Sequence, residues 1–168
     1  MKKQFLLSEI WSLSISAAFQ RANVYVKGFN DEKEKEAYKK RLREHLETIA
    51  QQYKKPIDET THIQNIHSVS ECGHNCLANG KLNFGVSQKL LNLYLKYLWC
   101  LDMIPMPPHF PIDRLIQEKL KVKNVIAWTF EMNEDNYTEI IEKARYKAKN
   151  ENISLAELEL GLFKRRND

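Results

Sequence analysis

Three polar side chains interrupt an otherwise apolar stretch in the middle of this chain, and they are the first candidates for chemistry. Lys89, Asn92 and Lys96 lie at positions i, i+3 and i+7, so on a helix they share one narrow stripe. An amine that faces a core needs a partner or a cleft, because burying an unpaired charge is costly. We therefore expect polar contacts along this stripe, with Asn92 hydrogen-bonded to a partner or a substrate.

The residues around the stripe are apolar on almost every side. This pattern predicts a central core helix over residues 86–104, which ends before the proline-rich segment that begins at Pro105. Asp113 lies near the start of a second, short predicted helix over residues 112–120, where a carboxylate is favourable. His109 precedes that helix, and it can act near Asp113 or merely close the proline turn.

The hairpin residues before the central helix carry a resemblance to a known family. Gly85-Val86-Ser87-Gln88-Lys89 resembles the turn of helix-hairpin-helix DNA glycosylases, where Gly-Val-Gly-x-Lys opens a helix. Pro111-Ile112-Asp113 is similar to the segment that follows that helix in the family. Phe84 replaces a common proline and Ser87 replaces the second glycine. The separation of the lysine and the aspartate is longer than in most members, as it is in the archaeal-type 8-oxoguanine glycosylases.

The resemblance implies a DNA base-lesion glycosylase of the lysine-using 8-oxoguanine glycosylase/lyase branch, which acts on damaged duplex DNA. Lys89 would attack the sugar of a flipped-out nucleotide, and strand cleavage could follow from the covalent imine. Asp113 would stabilise the cationic sugar and help to manage the lysine proton. No cofactor and no metal are expected. The predicted substrate contacts include hairpin amides for a phosphate and an aromatic ring for the base: Gly85, Val86, Ser87, Gln88, Asn92, Lys96, His109 and Trp99.

Each of these residues also has an ordinary structural interpretation. Lys89 can simply extend to solvent, and Asp113 can be only a residue at a helix N-terminus. Trp99 and Trp128 can stack on an extruded base, but they can equally be core aromatics. The second hypothesis is therefore a non-catalytic helical module that binds DNA or protein, such as an accessory of a phage or mobile-element system. Lys89 and Lys96 would then be phosphate contacts.

A third hypothesis, a small helical ribonuclease of the toxin type, ranks last. That class usually needs an Arg-x4-6-His motif late in a helix. Arg41 and His45 are too closely spaced for it.

A cluster of cysteine and histidine raises the question of metal binding. Cys72, His74 and Cys76 follow His62 and His67, but their spacing matches no known zinc finger. We favour a pair of small buried thiols at the junction of a helix and a turn.

Composition bounds the remaining possibilities. The chain has 168 residues and a net charge of +4, which permits an acidic partner without requiring one. Five glycines and five prolines are few for a turn-rich β fold. We predict one all-α domain over residues 1–168, built around the central helix.

Three cysteines, one of them Cys100 in that helix, favour a reduced intracellular protein, and no segment reaches transmembrane length. The expected location is cytoplasmic, and the oligomeric state stays open.

Local signals place the other helices. Ser8 is the predicted cap of a first helix that stops at Gly28, and Asp31 begins a capping box for a second. A third is predicted to start at Thr60 or Thr61. Residues 122–128 are interpreted as loop or helix, a helix containing Tyr137 follows, and Ser154 caps the last one. Residues 164–166 are predicted to form a solvated tail.

Overall fold

The structure, a computed structural model, describes residues 1–163 and is all-helical over that range, as predicted. Within these residues there is no β-strand, only one isolated antiparallel bridge between Tyr25 and Leu77. The α-helices are α1 (Lys2–Phe19), α2 (Glu32–Ala50), α3 (Glu59–Glu71), α4 (Phe84–Cys100), α5 (Arg114–Lys119), α6 (Glu134–Glu151) and α7 (Leu155–Leu162), with a short 3-10 helix at Gln51–Lys54.

The central helix α4 is buried on nearly every side. It packs against α1 and α3, and its apolar side chains join one core cluster to which α2, α5, α6 and α7 also contribute. Leu90, Leu91 and Leu95 have no exposed surface. A helix that is apolar all round lies in a core, so the prediction of a buried central helix is confirmed.

The bounds of α4 differ from the predicted 86–104. The helix begins at Phe84, because Asn83 accepts a hydrogen bond from the Val86 amide at 2.9 Å and caps it. It ends at Cys100, because Asp102 has a φ of 54° and turns the chain out of the helix. Cys100 is therefore exposed at the helix end, which corrects its predicted place in the buried part.

The predicted first helix was also wrong in its bounds. The helix starts at Lys2 and ends at Phe19, so Ser8 lies inside it and caps nothing. Nothing in the residues before Ser8 breaks a helix, which is why it extends back to the terminus. Gly28, the predicted stop, lies in a later turn with a φ of 80°.

Two of the predicted caps are confirmed. Asp31 caps α2 by accepting the Glu34 amide at 3.1 Å. Ser154 caps α7 in the predicted box with Glu157. Asp58, rather than either threonine, caps α3. Residues 122–128 contain no helix.

Among residues 1–163, no helix is long and apolar enough to cross a membrane. The predicted tail at residues 164–166 lies outside the described residues.

Candidate functional site

Lys89 and Asp113 lie in contact beside the central helix. Lys89 is on α4, and its Nζ lies 3.1 Å from Oδ2 of Asp113, which caps the N-terminus of α5. Their side chains are 12% and 29% exposed, so the pair lies at the edge of the core rather than within it. The Lys89 Nζ also lies 4.2 Å from the centroid of the Trp128 ring, within the range of a cation–π contact. We call these three residues the Lys89 site.

The two oxygens of Asp113 have separate tasks. Oδ1 accepts the Ile116 amide at 3.0 Å and caps α5, while Oδ2 accepts from Lys89. Both interpretations of Asp113 from the sequence, the helix-end residue and the partner of Lys89, are therefore compatible in one conformation.

A buried glutamine fixes the segment that carries Asp113. Gln88 has no exposed surface. Its Nε2 donates to the Ile112 carbonyl at 2.7 Å, and its Oε1 accepts from the Ile112 amide at 3.1 Å. Two hydrogen bonds to one residue hold the backbone in both position and direction. Gln88 thereby sets where the next residue, Asp113, lies relative to Lys89.

A second glutamine does the same for the segment that carries Trp128. Gln117 of α5 is also fully buried. It donates to the Ile126 carbonyl at 2.9 Å and accepts from the Ile126 amide at 2.8 Å. Asp113 and Trp128 therefore each follow, by one or two residues, a backbone position that a buried glutamine holds in place.

The hairpin residues lie beneath the Trp128 segment. A Cβ on Gly85 would lie 1.8 Å from the Trp128 carbonyl oxygen, so only glycine allows this approach. Val86 and Ser87 have no exposed surface. Asn83 caps the Val86 amide and also donates to the Thr129 carbonyl. In this conformation, the end of α4 that was predicted to bind a phosphate is covered by the protein's own backbone.

Asn92 continues the polar stripe into the interior. It has no exposed surface, and its Nδ2 donates to the Tyr137 hydroxyl at 2.9 Å and to Gln88 Oε1 at 3.3 Å. Asn92 therefore hydrogen-bonds two partners inside the protein. Its Oδ1 has no partner among the described residues.

His109 belongs to the same interior network and not to the Lys89 site. Its Nδ1 lies 3.0 Å from the Tyr137 hydroxyl and its Nε2 lies 2.5 Å from Glu59 Oε1, an oxygen that Arg145 also contacts. Burial lowers the pKa of His109, and the contact with Glu59 opposes that change. The His109 ring packs edge-on against His62 at 4.7 Å.

His62 is the most strongly perturbed histidine. It has no exposed surface, and its Nδ1 lies 2.7 Å from the Tyr53 hydroxyl. Burial, with an added contribution from His109, lowers its pKa to about 3. His62 is therefore neutral at physiological pH.

Lys96 forms a second ion pair, further along the stripe. Its Nζ lies 2.7 Å from Glu159 Oε2 of α7, and the side chains are 9% and 2% exposed. Burial raises the pKa of Glu159, and the contact with Lys96 opposes that rise. Lys96 also faces the Phe163 ring at 4.2 Å. Both amines of the stripe thus have the partners that their position requires.

The remaining sequence predictions concern Trp99 and the cysteine loop. Trp99 is half-buried and packs against the core, and it is Trp128 that contacts Lys89. In the loop, Cys76 is buried and Cys72 half-buried. His74 accepts the Cys76 amide at 3.1 Å and lies 3.3 Å from Glu34. No group of three or more His, Cys, Asp or Glu residues within 1–163 is arranged to hold a metal ion.

Comparisons with protein-family models, curated proteins and solved structures found no match for this chain. The case for a function therefore depends on the geometry of the residues themselves.

Sequence reasoning missed the partners that come from far along the chain. Tyr137 and Glu159 complete the polar contacts of the central helix. Glu59 contacts His109, and Gln117 holds the Ile126 backbone. None of the four has a local motif that marks it. The only available signal was the need of each buried lysine for a carboxylate, which does not say which carboxylate it is.

Proposed function

We propose that this chain is a DNA base-lesion glycosylase with lyase activity, in which Lys89 is the nucleophile and Asp113 the assisting carboxylate. The observation that carries the proposal is the contact of Lys89 Nζ with Asp113 Oδ2 at 3.1 Å, with both side chains partly exposed. An amine and a carboxylate in contact at an accessible edge are the groups that this chemistry needs.

The proposed steps begin with a proton transfer. Lys89 attacks only as the neutral amine, and Asp113 Oδ2 is in contact to accept its proton. The amine then bonds to the anomeric carbon of the flipped-out nucleotide while the glycosidic bond breaks, and the base leaves with the bonding electrons and a proton. The resulting imine between Lys89 and the opened sugar is the species from which the strand can be cleaved.

Trp128 has a defined part in this proposal. Its ring lies against the Lys89 amine and its segment is fastened by Gln117, so a rigid aromatic face lies beside the reacting atom. Trp128 is 8% exposed, so an extruded base can stack on this ring only after the side chains that cover it move. Of the two tryptophans that the sequence offers for stacking, Trp128 takes this role in the proposal, because its ring contacts the Lys89 amine.

A non-catalytic binding module is the second candidate, and one observation favours it. Asp113 caps α5 through Oδ1, so its carboxylate has a structural task that requires no chemistry. Lys89 would then serve only to neutralise that carboxylate. In that case the protein binds DNA or another protein and releases no base.

Borohydride trapping tests the proposal. Protein is incubated with a panel of duplexes that each contain one damaged base, and borohydride reduces any imine to a stable adduct. The proposal predicts an adduct with the wild-type protein, none with Lys89→Gln, and an undiminished adduct with Lys149→Gln, a matched change at an exposed lysine of α6. No adduct from any lesion with the wild-type protein would favour the binding module.

A further inference from the structure

A groove with only cationic charged residues runs along one surface towards the Lys89 site. A cavity of about 760 Å³ is lined by Tyr25, Arg21 and Lys27 among others, and a second cavity of about 370 Å³ is lined by Arg21, Arg114 and Trp128. Arg21 lines both, so the two cavities adjoin at this side chain. No acidic residue is among the described residues that line either cavity.

A third, smaller cavity extends the same surface. It shares Asn23, Val24 and Ala78 with the larger cavity, and its one charged lining residue is Lys81. We call the three together the cationic groove.

The charges of the groove are available to an outside partner to different degrees. Arg21 and Lys27 are exposed, and neither forms an ion pair with another residue of 1–163. Arg114 pairs with Glu118 at 2.8 Å, although its side chain is 79% exposed. Lys81 pairs with Glu71 at 2.7 Å. Arg21 and Lys27 therefore supply the uncompensated positive charge.

Two acidic residues of α2 also lie close to the groove, and each is neutralised by a lysine of its own helix. Glu32 and Glu36 act on the Tyr25 hydroxyl and contribute to its raised pKa. Glu32 is paired with Lys35 at 2.6 Å and Glu36 with Lys39 at 2.7 Å. They do not cancel the charge of the groove.

The floor of the groove is held in place. The Val26 amide donates to the Cys76 carbonyl at 2.8 Å, and the Ala78 amide donates to the Val24 carbonyl at 2.9 Å. These bonds join the loop after α1 to the loop before α4. A fixed loop presents its cations with little loss of entropy on binding.

We propose that the cationic groove binds the phosphodiester backbone of DNA and leads it to the Lys89 site. Trp128 joins the two, because it lines the groove and contacts the Lys89 amine. Uncompensated cations suit the phosphates of a DNA strand. This inference rests on the proposed function for its ligand. It assigns to the groove the backbone contact that the sequence placed at the hairpin amides.

A paired set of variants tests the groove. Arg21→Gln combined with Lys27→Gln removes the two uncompensated cations, while Lys40→Gln combined with Lys149→Gln removes the same charge from exposed lysines that line none of the three cavities. Affinity for a labelled duplex containing one abasic-site analogue is measured by fluorescence anisotropy over a range of salt concentrations. Unchanged circular dichroism confirms that each variant folds.

The groove variant should bind roughly tenfold or more weakly at low salt, and its log–log salt dependence should be shallower by about two, one for each lost phosphate contact. The control variant should keep the wild-type salt dependence. Equal losses in both variants, no loss in either, or no DNA binding by the wild-type protein would overturn the groove.

Borohydride trapping separates this inference from the proposed function. DNA binding that depends on Arg21 and Lys27 without any adduct would leave the groove standing and reject the glycosylase. If the groove variant binds DNA with wild-type affinity and still forms the adduct, the glycosylase stands and the groove is rejected.

Discussion

The two lysines of the central helix lie in the same stripe and each has a carboxylate partner, yet their surroundings differ. The lysines themselves are almost equally exposed, Lys89 at 12% and Lys96 at 9%. Their partners are not, since Asp113 is 29% exposed and Glu159 only 2%. The accessibility of the carboxylate therefore distinguishes a pair that can meet a substrate from a pair that holds two helices together.

The largest expected effect comes from breaking the enclosed pair. Lys96→Met leaves Glu159 without its cation in a buried position, and we expect the free energy of unfolding to fall by about 3–5 kcal/mol. Urea denaturation measures this loss. The double variant Lys96→Met with Glu159→Met removes both charges and should recover most of it. A single variant as stable as the wild type would contradict the structural role of this pair.

The next largest effect is expected at Gly85, which packs against the Trp128 segment beside the Lys89–Asp113 pair. Gly85→Ala places a Cβ against the Trp128 carbonyl, and we expect a loss of about 1–3 kcal/mol of stability because backbone must move. Gly161→Ala in α7 is the matched control, since nothing lies near its Cβ position, and it should be neutral or slightly stabilising. Similar thermal midpoints for the two variants would show that the Trp128 segment is not held against α4.

The region between the two lysines can be tested by varying the pH, because His62 lies beside Asn92. The pKa of His62, beside Asn92, is lowered from its ordinary 6.5 to about 3, so between these values the unfolded state binds the proton that the folded state refuses. Stability should therefore fall as pH drops below 6.5, at up to about 1.4 kcal/mol per pH unit. Urea midpoints at pH 7 and 5.5 measure the slope. His62→Gln should flatten it, and an unchanged slope would remove His62 as its source.

The smallest stability effect is expected at the accessible pair. Lys89→Met should change the free energy of unfolding by about 1 kcal/mol or less, because its partner stays partly hydrated and keeps its capping bond. The same urea titration measures it alongside Lys96→Met. A loss as large as that of Lys96→Met would mean that the two pairs do not differ as described.

The same two regions show what the sequence could predict. Helices and caps depend on neighbouring residues, so Asp31, Ser154 and the buried central helix were predicted from spacing alone. The contact of Lys89 with Asp113 was expected only through the family resemblance. The pairing of Lys96 with Glu159 was not predicted, because it joins helices that are far apart in the sequence.

Gly85 shows that a requirement for glycine can be inferred from the sequence while the group that packs against it cannot. The resemblance placed Gly85 in a turn whose amides contact a phosphate, and the structure places a backbone group against this glycine. That group is the Trp128 carbonyl of the protein itself, whereas the resemblance implied a DNA phosphate. The resemblance indicated the need for glycine, and only the tertiary structure identifies what approaches it.

Borohydride trapping with matched substitutions at Asp113 is the most direct test of the Lys89 site. Asp113→Asn retains a good capping side chain but loses the charge, whereas Lys89→Gln removes the amine. We predict adduct formation by the wild-type protein, none with Lys89→Gln, and a rate lower by roughly a hundredfold or more with Asp113→Asn at unchanged stability. No adduct from the wild-type protein on any lesion, or a wild-type rate in Asp113→Asn, would contradict the assignment of this pair to catalysis.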